Sequence, residues 1–266
     1  MATIFSAGKA TILRHDPVTI RRIGVSDVRD ALRQGWNDFT AIPTQLVFLG
    51  IVYPVVGLVA ARAAAGYDLV VPLLFPLVAG VSLLGPVLAV GIYELSRRRE
   101  NGLPVSWLNA FDVLRSPALP GIALVGVMLL AIFGAWLLTA KLIFDHTVGL
   151  SHPASASGFV QETLNSAAGW QMMVWGNLAG FAFAVAVLAL TVVSVPMMLD
   201  RTDTSAALAI RTSVRAVLAN PGPMSLWGVI VAAILLLGCL PLFVGLALAM
   251  PVLGHATWHL YRKVIA

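Results

Sequence analysis

Residues Pro251-Val252-Leu253-Gly254-His255-Ala256-Thr257-Trp258-His259-Leu260-Tyr261-Arg262-Lys263 close an apolar block that begins near residue 225. One helix through residues 225–260 would reach ~54 Å at ~1.5 Å per residue, well beyond a hydrocarbon core of ~30 Å. The block therefore reads as a hairpin broken at Gly238-Cys239-Leu240-Pro241. Its second arm ends in two histidines four residues apart, flanked by Trp258 and Tyr261 and followed by two cations.

The rest of the chain belongs to the same class. Apolar residues make up 59% of the 266 and charged residues 11%, with a mean hydropathy of +0.91, outside the range of soluble domains. The expectation is an all-α membrane protein. The net charge of +5 lies in short segments between apolar runs, so it sets topology, and no nucleic-acid partner is expected. Cys239 has no second cysteine to pair with, and no cleaved signal peptide is read in the first forty residues.

A pattern recurs three times. Val25, Val28, Leu32, Trp36 and Phe39 form one helical stripe ahead of Pro43; Trp107, Phe111 and Leu114 do so ahead of Pro117, and Ala207, Ile210, Val214, Val217 and Leu218 ahead of Pro221. Ala31 to Pro43, Val105 to Pro117 and Ala209 to Pro221 are each twelve positions apart. The reading is three copies of an amphipathic surface helix followed by a two-span hairpin. Six spans result: about Gln45–Ala63, Leu69–Leu95, Leu119–Phe144, Met173–Leu199, Met224–Cys239 and Leu242–Tyr261. Residues 1–24 form a basic, mostly unpacked cytoplasmic arm, and 25–266 a single membrane domain. With both termini inside, fifteen of the seventeen Lys and Arg fall on the inner side, leaving Arg62 and Lys141 outside. Trp170 and Trp175 suit the outer interface, and Gly176-x-x-x-Gly180 allows close helix approach. His146 and His152, in the outer segment, read as solvated loop residues.

Several strings, namely Gly169-Trp170, Gly176-Asn177-Leu178-Ala179-Gly180, Val195-Pro196-Met197-Met198-Leu199-Asp200-Arg201 and Gly254-His255-Ala256-Thr257-Trp258-His259-Leu260-Tyr261-Arg262, carry a family likeness. Over about residues 20–264 the chain resembles a bacterial inner-membrane family known as domain of unknown function 2189. The resemblance implies a multi-span protein of the bacterial inner membrane and carries over no activity.

Pro86, Pro196 and Pro251 each stand near the inner end of an even-numbered span. Counting from them brings His255, His259, Glu94 and Asp200 toward one depth. Two imidazoles with one or two carboxylates is a ligand set for Zn, Fe or Mn, and two imidazoles also suit haem. The competing reading is packing and capping: histidine near a helix C-terminus, with aromatic and cationic membrane anchors. Trp258, Tyr261, Tyr93, Asn177 and Arg201 are further candidates. The sequence requires no cofactor, and no phosphate loop or nucleophile–base arrangement is present. Two functional classes follow. One is a non-catalytic accessory, assembly or scaffold protein partnered by the bilayer and by other inner-membrane proteins or a second copy. The other is a metal- or haem-binding protein, or a small-solute transporter, working from the histidine end.

Overall fold

The computed structural model describes residues 18–42, 83, 85–151, 156–239 and 245–266. Among them the chain is helical, and its one β-type pairing is an isolated antiparallel bridge between Ile20 and Ile265. Helix α1 spans Val25–Ala41, α2 Gly85–Leu88, α3 Val90–Glu100, and a 3₁₀ helix Trp107–Arg115. There follow α4 Leu119–Asp145, α5 Ala156–Asn165, α6 Ala167–Thr191, α7 Ser194–Asp200, α8 Ala206–Ala219, α9 Pro221–Cys239 and α10 Leu246–Val264.

Local chemistry accounts for several of these boundaries. Asp27 Oδ2 accepts from Gly24 N at 2.8 Å and Asn109 Oδ1 from Ser106 N at 2.8 Å, while Ser166 Oγ accepts from Gly169 N at 2.9 Å, each serving an otherwise unpaired donor at a helix start. Helix α3 ends with Gly102 at φ 65°, Leu103 N reaching Arg98 O and Gly102 N reaching Arg99 O. This left-handed stop satisfies the last carbonyls and favours glycine. Helices α6 and α7 are divided at Val192–Val193, four and three residues ahead of Pro196. That is where a proline removes a bond and crowds a carbonyl.

Three described helices are long and apolar enough to cross a membrane: Leu119–Asp145, the continuous run Ala167–Asp200, and Pro221–Cys239. They bury few of their residues, and Leu124, Val127, Leu130, Phe181 and Val229 are exposed on their outer faces. Exposed apolar surface of that extent belongs against lipid. The first expected span, most of the second, and the turn at 240–244 lie outside the described residues.

The core lies where helix ends meet. Helices α3, α7 and α10 pack pairwise against one another. Three segments then brace this knot: α1 against α10, the 3₁₀ helix against α3, and α8 against α7. Each bracing segment stops two residues ahead of a proline, at Ala41, Arg115 and Ala219. Counting back from that proline, positions 3, 6 and 10 are exposed in all three segments. Positions 5, 8, 12 and 15 are buried in both α1 and α8.

Two expectations for the first segment change. The buried stripe of α1 is Val28, Ala31, Gly35 and Asp38, with Phe39; Leu32 is half-buried and Trp36 is 54% exposed. Small residues win because α1 crosses α10 too closely for an indole. A Cβ built on Gly35 would stand 2.5 Å from Ala256 N and 2.6 Å from Ala256 Cβ. The end of the basic arm is also packed. Arg21 N donates to Val264 O at 2.8 Å, and Asn220 takes Ile23 N and gives its amide to Arg21 O.

Candidate functional site

The α1–α10 crossing brings Asp38, on the first helix, over His255 and His259, one turn apart on the last. Asp38 is buried, and four side chains converge on its carboxylate. His259 Nε2 lies 2.8 Å from Oδ2, Ser96 Oγ donates to Oδ2 at 2.7 Å, and Arg99 Nε stands 3.3 Å from Oδ1. His255 Nδ1 is 3.9 Å from Oδ2 and 2.7 Å from Ser96 Oγ. Ser96 has one proton, and a carboxylate only accepts. The hydroxyl proton therefore goes to Asp38, and His255 carries its own proton on Nδ1. Its Nε2 is buried without a hydrogen-bond partner among the described residues.

The electrostatics agree with this geometry. Burial pushes the Asp38 carboxyl up, but hydrogen bonds from His259 and Ser96 and the positive field of the histidines outweigh it, so Asp38 titrates below the usual 3.8. Further along the same face Lys263 and Arg33 bind Asp30 and hold it at about 2.

The four residues expected to share one cluster take different partners. The histidines come together on Asp38. Glu94 instead receives Arg97 Nε and Nη2 at 2.8 and 2.9 Å, a paired fork that raises Arg97 above its ordinary value. Asp200 receives Tyr261 Oη at 2.7 Å and Arg262 Nη1 at 3.0 Å. The helix faces therefore differ in what they hold: the histidines take Asp38, Glu94 takes Arg97, and Asp200 takes Tyr261 and Arg262. Among the described residues no three of His, Cys, Asp and Glu are grouped to hold a metal ion.

The remaining candidates are likewise engaged. Trp258 Nε1 donates to Glu100 Oε2 at 2.9 Å, and Arg262 Nε reaches Glu100 Oε1 at 2.9 Å. Tyr93 is buried against Thr257, and Arg201 donates to the backbone oxygen of Ala266. Asn177, exposed on α6, returns its amide to Met173 O at 2.7 Å. In the Gly176–Gly180 pair, Gly180 packs against Trp136 of α4 while Gly176 has nothing within 4 Å. Sequence reading missed Asp38, Ser96, Arg99 and Glu100. The available signal was the spacing Ala31, Gly35, Asp38, which places a carboxylate on a face built for close contact.

The cluster opens into a cleft of about 330 Å³ lined by Gln34, Asp38, Arg99, Glu100, His259, Arg262 and Lys263. Residues 74–200 match the family described as Predicted integral membrane protein (DUF2189). The DUF2189 match takes in α3, α4, α6 and α7, with Glu94, Ser96, Arg99, Glu100 and Asp200. It stops short of α10, so the string Gly254–Arg262 and both histidines lie beyond it, as does Asp38. No curated protein and no solved structure matches the chain. The match and the three long apolar helices make the chain an integral membrane protein, and the matched family's description carries no activity.

Proposed function

We propose that this chain is a non-catalytic accessory, assembly or scaffold protein of the bacterial inner membrane, built from three units of surface helix plus two-span hairpin, with both termini cytoplasmic. The observation that carries the functional part is the mutual satisfaction of the polar groups at the helix ends. Asp38 is shared by Ser96, His259 and Arg99, Glu94 by Arg97, Asp200 by Tyr261 and Arg262, and Glu100 by Trp258 and Arg262. These contacts tie α1, α3, α7 and α10 to one another. Polar groups that satisfy one another across helices favour one rigid arrangement. Donor atoms spent on each other suit a frame better than a ligand cage.

The architecture has its own support. Each bracing segment packs on the end of the even-numbered span that precedes it, and α1 meets the last helix, closing a ring. The exposed positions shared by the three segments, and the buried ones shared by α1 and α8, fit one repeated unit. Fifteen of seventeen cations fall on the inner side in this arrangement.

One observation favours a second reading, proton or small-solute handling. The hydrogen bonds run from the cleft through Asp38 and Ser96 to His255, and end on its unpartnered Nε2. A buried polar atom of that kind calls for an explanation. Metal analysis and an optical spectrum, combined with affinity purification from membranes, separate the readings. A metal-free, colourless protein with a stoichiometric membrane-protein partner supports the scaffold. A stoichiometric metal, a Soret band, or solute uptake into vesicles that His255→Gln abolishes would overturn it.

A further inference from the structure

Two of the bracing segments lead directly into described candidate spans. The 3₁₀ helix ends four residues before Leu119 opens α4, and α8 ends two residues before Pro221 opens α9. At ~1.5 Å per helical residue, the final turns of both segments stand within a few ångströms of the depth at which those helices begin. Their outward faces are therefore at the membrane boundary.

What those faces carry is unusual for water-facing surface. The 3₁₀ helix turns Trp107, Leu108, Phe111 and Leu114 outward, Phe111 at 52% exposure. Helix α8 turns out Leu208 and Leu218, the latter 73% exposed, alongside exposed Arg211 and Arg215. Carboxylates are kept off both faces. Helix α8 contains none, and the 3₁₀ helix has only Asp112, drawn sideways onto Arg98 at 3.0 Å and Asn109 at 2.8 Å. Arg115 stays exposed at the end of its segment. Apolar rings and leucines interspersed with arginine, with acid excluded, match the boundary between acyl chains and anionic headgroups.

We propose that these two faces form a lipid-binding collar, with Trp107, Phe111, Leu114 and Leu218 in the acyl boundary and Arg211, Arg215 and Arg115 on the phosphates of anionic phospholipid. The partner is lipid, because each face sets arginine among exposed apolar side chains and is followed along the chain by the exposed apolar surface of a candidate span, Leu124 and Val127 on α4 and Val229 on α9. The collar stands whatever the number of spans and whichever functional reading holds.

The test uses the full-length protein with Cys239→Ser, reconstituted in vesicles of phosphatidylcholine with or without phosphatidylglycerol. Single cysteines at Phe111→Cys, Leu218→Cys and, as a water-facing reference, Thr202→Cys carry an environment-sensitive fluorophore. Brominated acyl chains should quench the first two and iodide the third. Quenching of positions 111 and 218 by iodide alone would overturn the collar, since the faces would lie in water. Quenching by neither would also overturn it, since another protein surface would cover them. In detergent micelles, phosphatidylglycerol should raise thermal stability, and Arg211→Gln and Arg215→Gln should each weaken its preference over phosphatidylcholine about fivefold. If inorganic phosphate stabilises as well as phosphatidylglycerol, or if the arginine variants leave the preference unchanged, the lipid assignment fails.

Discussion

Gly35→Ala is the smallest change that tests the packing beneath the site. The new Cβ would lie 2.5 Å from Ala256 N, 2.6 Å from its Cβ and 2.7 Å from its Cα. Carbon atoms rest at about 3.5–4.0 Å, so α1 and α10 would have to part by roughly 1 Å. Overpacking of this kind costs about 1–3 kcal/mol. The same movement stretches the 2.8 Å bond between Asp38 and His259 toward 3.8 Å, beyond hydrogen-bond range, adding ~1–3 kcal/mol if the buried carboxylate loses that partner. Opposing this, alanine is favoured over glycine in a helix by about 1 kcal/mol. The net expectation is destabilisation of a few kcal/mol. Thermal unfolding of the purified protein in detergent, followed by helicity, would measure it. Gly134→Ala supplies the reference, because a Cβ built there would meet no other part of the fold within 4 Å and should show only the helix-propensity gain. Adding Ala256→Gly to Gly35→Ala should restore only part of the loss, since the Ala256 backbone nitrogen and Cα remain in the way. Equal midpoints for the two single alanine variants would refute the close crossing.

Asp38→Ala should cost roughly 1–3 kcal/mol, because it leaves the buried Ser96 hydroxyl and the half-buried His259 without their acceptor, whereas Arg33→Ala, at an exposed pair, should cost about 0–1 kcal/mol by the same unfolding assay. Both Asp30, at about 2, and Asp38, below 3.8, are more acidic folded than in an ordinary chain, so their contribution is complete above 3.8 and is lost as pH falls toward 2. Unfolding midpoints taken from pH 7 down to pH 2 should drop in that window, with less slope in Lys263→Gln; a flat profile would contradict the pairing. Reporter fusions after Ala266 and within residues 151–157 should report opposite sides of the membrane, and the same side for both would remove the hairpin at 238–241. Hydrogen exchange should show the amides of Val25–Ala41 protected in the intact protein, and full exposure there would separate α1 from α10.

What could be read from the sequence was decided by properties that accumulate over many residues. Leu119–Asp145 and Pro221–Cys239 emerge because twenty or so apolar side chains leave no other stable arrangement than a buried or lipid-facing helix. The bracing helices emerge because periodicity and a following proline both mark them. The error at Trp36 has an equally physical source. A stripe chosen by side-chain size selects the largest apolar residues, but a helix that must approach a neighbour closely buries its smallest. Ala31 and Gly35 set that face, and the indole of Trp36 was left outside to lie against Phe39, with ring centroids 5.8 Å apart.

The site was half legible for a related reason. His255 and His259 share one helix, so their common face follows from spacing alone. Their acid partner comes from a residue 221 positions away, through a crossing whose angle and depth no local pattern specifies. The helices α3, α7 and α10 do pack against one another, yet a proline register addresses only position along each helix and leaves its rotation free. Rotation is what gives Glu94 to Arg97, Asp200 to Tyr261 and the histidines to Asp38. An ion pair within one helix, such as Glu94 with Arg97, also removes a carboxylate from long-range competition before tertiary packing begins, since residues three apart are already neighbours. Asp38 has no cation within one turn of it on α1; Arg33, five residues before it, is held by Asp30, and Arg99 comes from α3. A carboxylate left without a local partner on a tightly packed face is the one that must find its counter-charges across the fold, and in this chain those are the histidines of the last helix.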